Sequence, residues 1–156
     1  SWLKDQHGIA QQPADIISAM ANGSFSRAQM MVENNWLQRR KWVIDEMDRL
    51  SLQPIARLFS LAEKLSKEKE ALAQSLEIIK VWFRDLIINR YDAAKIINRD
   101  VADKIESASQ KNSLPDLLSK VDAVQKTQTR LAANTNLRLV MESLLIQLAQ
   151  PQGANR

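Results

Sequence analysis

Apolar residues recur along this chain at spacings of three and four, the period of helices buried on one face. The clearest case follows Ser66, where Leu72, Leu76, Ile79, Phe83 and Leu86 step by four, three, four and three. Ile78, Val81, Trp82, Ile87 and Ile88 widen that stripe beyond one face. A helix apolar over most of its girth lies in the middle of a bundle. Ser66 is expected to cap this helix, which runs to about Tyr91.

Residues 1–12 are polar and mixed, with Gly8 as a breaker. Pro13 suits a helix start, and the helix it opens carries Ile16, Ile17 and Met20. It stops at Asn22-Gly23, where glycine takes a left-handed cap. Ser24 or Ser26 caps a second short helix with Ala28, Met31 and Val32, and Asn34-Asn35 breaks the pattern again. Trp36, Leu37, Val43, Ile44, Met47 and Leu50 mark the next helix. Pro54 starts another, with Ile55, Leu58, Phe59, Ala62 and Leu65 on one stripe.

Beyond Tyr91 the pattern is irregular until Asp100, the expected cap of a helix holding Val101, Ile105 and Ala108. Ser113-Leu114-Pro115-Asp116 combines a hydroxyl cap, an early proline and an acid three residues on. Leu117, Val121, Val124 and Leu131 follow it. In Asn134-Thr135-Asn136, asparagine is expected to supply both a left-handed exit and the cap of a last helix carrying Leu137, Met141, Leu144 and Leu148. Residues 150–156 read as a disordered tail. The fold class is therefore all-α, a helical bundle with short antiparallel connections.

Composition narrows the chemistry. At 156 residues the chain is one domain, or one domain and part of another. It is 45% hydrophobic and 26% charged, an ordinary globular balance. No cysteine and one histidine leave no zinc site of the usual kind, no thiol chemistry and no disulfide, which fits a reducing, cytoplasmic setting. Three glycines form neither phosphate-cradling motif, so no nucleotide cofactor is expected. No apolar run reaches the ~20 residues of a membrane span, and Ser1 in place of methionine reads as a fragment or processed chain.

Catalytic constellations are missing. His7 reads as a surface histidine, and Asp45/Asp48 and Glu68/Glu70 read as solvated helix faces. Arg39-Arg40-Lys41, between Trp36 and Trp42, suggests a nucleic-acid patch at first sight. On a helix, however, these residues fan out by about 100° each, and a net charge of +4 is mild; a solvated face is the better reading. Arg84-Asp85 sits inside the apolar stretch Trp82–Leu86 and leaves two readings open: a charge at the bundle edge, or an ion pair reaching a neighbouring subunit.

Three strings carry a resemblance. Gly23–Ala28 (GSFSRA) resembles the Gly-Ser-x-x-x-Ala of the helical lid that follows an AAA+ nucleotide domain. Trp82–Ile87 (WFRDLI) resembles a Trp-Leu-Arg-Asp-Leu-Leu collar motif, and Asn134–Leu148 resembles an Asn-x-Asn-x-x-Leu helix opening. In register, over about residues 3–149, they resemble the C-terminal part of bacterial DNA polymerase III clamp-loader subunits, most closely delta-prime. The resemblance implies part of a lid at 1–35, a helical collar (oligomerisation) domain at 36–149, and a hinge at Asn34-Asn35. It implies gamma/tau and delta subunits as partners and, through the full complex, the sliding clamp and primed template DNA. Relatives that bind ATP carry a sensor arginine two residues after the Gly-Ser pair; Ser26 stands there, with Arg27 one position late. That departure points to a subunit without a working ATP site. The expected role is assembly, with no catalysis, metal or cofactor in this piece. Trp36, Trp42, Arg84 and Arg138 are the candidate interface anchors, and Asp100, Asn134 and Asn136 the structural caps. The alternatives are another clamp-loader subunit (gamma/tau or delta), another AAA+ replication protein with a collar, or a free-standing helical adaptor binding nucleic acid through its basic helix.

Overall fold

The computed structural model describes residue 3, residues 10–33 and residues 35–150. His7, Gly8, Asn34 and the tail from Pro151 onward lie outside the described residues. The described residues form α-helices and short 3-10 turns without strands, an all-α bundle. The helices are α1 (Gln11–Met20), α2 (Phe25–Glu33), α3 (Trp36–Asp48), α4 (Ile55–Leu65), α5 (Lys69–Asn89), α6 (Ala102–Lys111), α7 (Leu114–Arg130) and α8 (Leu137–Leu148).

Local chemistry sets most of these boundaries. The α1–α2 joint takes Asn22 (φ 52°) and Gly23 (φ 78°) through left-handed backbone, a region open to glycine and tolerated by asparagine. Ser24 Oγ then accepts from the Arg27 amide at 3.3 Å. Asn35 (φ 53°) separates α2 from α3 by the same means. Ser113 Oγ caps α7 by accepting from the Asp116 amide at 3.3 Å, and Asn136 Oδ1 caps α8 by accepting from the Leu139 amide at 3.1 Å. Asn134 works differently from expectation: its backbone is extended (φ −98°), and its side-chain amide donates to the Arg130 carbonyl at 2.7 Å.

Other expectations fail for identifiable reasons. Pro13 stands inside the first turn of α1, which begins at Gln11. Ser66 closes α4 instead of opening α5, because its hydroxyl donates to the Ala62 carbonyl one turn back, at 2.7 Å. Asp100 caps no α-helix. It lies in the 3-10 turn Arg99–Val101 ahead of α6, and its carboxylate is taken by Arg40.

The core has α5 at its centre. Leu72, Leu76, Ile78, Ile79, Val81, Trp82, Phe83 and Leu86 are buried on it, so most of its girth is covered. It packs against α3, α6 and α7, while α8 bridges α4 and α7. Helices α5 and α7 run antiparallel: Gln128 meets Glu77 at 2.8 Å, and Lys120 lies 5.7 Å from the Phe83 ring centre. Helices α1 and α2 join the same cluster of buried side chains through Ile16, Ile17, Met20, Ala28 and Met31. Burial of each large aliphatic side chain contributes about 1.5–3 kcal/mol.

Candidate subunit interface

The bundle's polar machinery is concentrated where α3, α5 and the 96–100 segment meet. On α3, Trp36, Arg40, Val43, Ile44 and Met47 share one buried stripe. Arg40 is therefore drawn inside with its apolar neighbours and is 4% exposed. Its guanidinium donates to Asn98 Oδ1 at 2.8 Å and pairs with both oxygens of Asp100. On α5, Asp85 continues the buried Ile78–Trp82 stripe and is fully buried. One carboxylate oxygen accepts from the Ile97 amide at 2.9 Å; the other accepts from the Asn98 amide at 2.9 Å and from its side chain at 2.8 Å.

Burial alone strongly disfavours a charged carboxylate. It pushes Asp85 above its ordinary value of 3.8, against the lowering effect of its three hydrogen bonds and of nearby Arg84. Arg40–Asn98–Asp85 thus forms a continuous buried chain between two helices, with the segment after α5 clamped in the middle. Helix α1 rests on the turn Arg99–Val101 that this clamp fixes.

Around this core, the four candidate anchors fall in different environments. Trp36 is 2% exposed, so its ring is occupied inside the chain and is not available as a rim contact. Trp42 is half-buried against the core. Arg84 faces outward with 48% of its side chain exposed, 3.7 Å from Asp85. Arg138 is exposed on α8 and pairs with Glu142 along the helix at 3.2 Å. No hydrogen bond or ion pair joins any two of the four among the described residues. The surface also shows Ile55, Tyr91, Leu118 and Leu139 as exposed large apolar side chains, the residue types that a partner face covers.

The basic triplet is dispersed. Arg40 is buried, Arg39 donates to Ser75 Oγ on α5 at 3.0 Å, and Lys41 is exposed. A solvated face describes only the last. Among the described residues, no group of three or more histidine, cysteine, aspartate or glutamate side chains is placed to hold a metal. No described helix is long and apolar enough to cross a membrane.

Comparison with known proteins gives the same architecture a family. Residues 34–150, from the Asn35 break through the end of α8, match the family model described as DNA polymerase III, delta subunit, C terminal. The chain belongs to that family. It carries the C-terminal domain of a clamp loader's subunit, and it works in the DNA polymerase III clamp loader with other subunits. No curated protein matches the chain.

In this delta-family domain, Arg84 faces outward and Asp85 inward. The two point about 100° apart on α5. Asp85 holds the chain's own loop, and Arg84 is left facing solvent. Sequence reasoning missed the Arg40–Asn98–Asp85 clamp, although Arg40 and Asp85 both stand in step with the apolar stripes of their helices.

Proposed function

We propose that this domain is the assembly collar of a delta-prime-type clamp-loader subunit, joined side to side with the collars of neighbouring subunits. The observation that carries the reading is the family match across α3 to α8, which is a closed helical bundle. Interfaces of permanent assemblies bury large apolar areas and are anchored by aromatic and arginine side chains. In this reading Arg84, Arg138 and Trp42, none of them fully buried, serve as the anchors, with exposed Leu118 and Leu139 as apolar additions. Residues 1–35 form part of the lid of an adjoining AAA+ domain in this reading, and the left-handed Asn35 between α2 and α3 is its hinge. The domain contributes no catalysis of its own, and it acts in the cytoplasm, where bacterial replication takes place.

The delta-prime assignment rests on Ser26, which stands where ATP-binding relatives carry the sensor arginine. Arg27, one position later on α2, is turned by about 100° from that direction. The delta subunit is the second reading, favoured by the description of the matching family. An intact Walker lysine in the gene's upstream sequence would argue against delta-prime. The assembly role is tested by titrating the domain with gamma and delta C-terminal domains from the same organism. Arg84→Ala is expected to weaken that association about tenfold with unchanged helicity. Unchanged affinity removes Arg84 from the interface, and absence of any association removes the assembly reading.

A further inference from the structure

Between α2 and α5 the surface opens into a groove of about 260 Å³, lined by Met20, Arg27, Met30, Met31, Trp36, Ala73, Gln74 and Glu77. Its floor is apolar: Trp36, Met20 and Met31 are buried. At its rim Met30 stands 55% exposed. Ala73, the smallest side chain on this face of α5, leaves the space open.

Two features specify the occupant. The volume lies below the range of pockets that enclose a whole small molecule, and it suits one or two anchoring side chains. Flexible, polarisable methionines suit a surface that adapts to such an anchor. Two opposite charges line the groove, and they differ in how they are paired. Glu77 is engaged by Lys80 at 2.9 Å and by Gln128 at 2.8 Å. Among the described residues, the Arg27 guanidinium has neither a hydrogen bond nor an ion pair. A free cation beside an apolar slot complements an apolar side chain followed closely by a carboxylate.

We infer that this groove docks an amphipathic acidic segment of a partner protein, with an apolar anchor over Trp36 and the methionines and an Asp or Glu on Arg27. The site joins α2 to α5, so its occupant would tie the proposed lid to the collar. In that respect the inference deepens the assembly reading.

The test uses two fluorescein-labelled helical peptides with identical leucines, one carrying glutamates and the other lysines at the intervening positions. Binding is read by fluorescence anisotropy and by the 13C methyl signals of the five methionines. The acidic peptide is expected to bind, to shift Met20, Met30 and Met31, and to leave Met47 and Met141 unmoved. Arg27→Glu is expected to weaken the acidic peptide about tenfold and to favour the basic one. Met30→Ala is expected to weaken binding several-fold. Both side chains are exposed, so circular dichroism should be unchanged. Equal binding of the two peptides, no binding of either, indifference to Arg27→Glu, or methyl shifts that track protein concentration without peptide would each overturn the inference. The last would mean a second copy as occupant. Assembly with gamma and delta domains is measured without the peptides, so loss of the groove proposal leaves that result standing.

Discussion

The α1–α2 pair and the α3–α8 bundle are built from the same kind of helix, yet they are held by different means. The bundle has buried polar side chains that accept only one arrangement. Asp85 must meet Ile97 and Asn98, and Arg40 must meet Asn98 and Asp100. The N-terminal pair packs through aliphatic and methionine side chains, and each of its joints passes through left-handed backbone at Asn22-Gly23 and Asn35. Apolar packing tolerates sliding, whereas directional hydrogen bonds in a low dielectric do not. The bundle is therefore suited to hold a fixed position and the pair to adjust against it.

Breaking the clamp should have the largest effect. Asp85→Ala leaves the part-buried Ile97 amide, the buried Asn98 amide and the Asn98 side chain without an acceptor, and is expected to cost about 3–5 kcal/mol in urea unfolding. Hydrogen exchange in α1 should quicken with it, because the turn beneath α1 loses its anchor. Asp85→Asn keeps one acceptor oxygen and should cost less, about 1–3 kcal/mol. Its pH dependence sharpens the comparison. A carboxyl raised in the folded state contributes stability that is fully present below its ordinary value and lost as pH rises through the folded value. The wild-type advantage over Asp85→Asn should therefore shrink as pH rises above the ordinary carboxyl value of 3.8, and a growing advantage would mean that the hydrogen bonds outweigh desolvation.

The next effect belongs to the joint between the two regions. Asn35→Ala removes the short polar side chain that lets asparagine tolerate left-handed backbone and should cost about 1 kcal/mol, while Asn35→Gly, with no β-carbon, should be neutral or better. Loss of the α8 cap in Asn136→Ala should cost about 1 kcal/mol by thermal melting. Smallest of all, Arg84→Ala should change stability by less than about 0.5 kcal/mol. A larger loss would make Arg84 part of the clamp instead of the free surface.

Much of this contrast was written in the sequence, though not all in readable form. Helical period alone placed α5 at the centre, since its apolar positions cover most of its circumference. Ser113 and Asn136 were legible as caps because their partners lie three residues away, within the same local turn. Asp100 and Ser66 misled for the opposite reason. Each has a side chain suited to capping, and each found a different acceptor or donor: Arg40 from 60 residues away, and the preceding turn of α4. The clamp itself required knowing that the 96–98 segment returns over α5, which no local pattern reports. Arg40 at the centre of the Trp36–Met47 stripe was the available sign that a charge would be buried. Trp36 misled as an interface anchor because position on an apolar stripe does not distinguish a ring facing its own core from one facing a partner.

The central claim is that this domain exists to join other clamp-loader subunits. Light scattering after gel filtration tests it most directly, for the domain alone and mixed with gamma and delta C-terminal domains from the same organism. The account predicts a hetero-complex of defined mass that survives the column. A domain that remains folded and elutes alone beside both partners would contradict it.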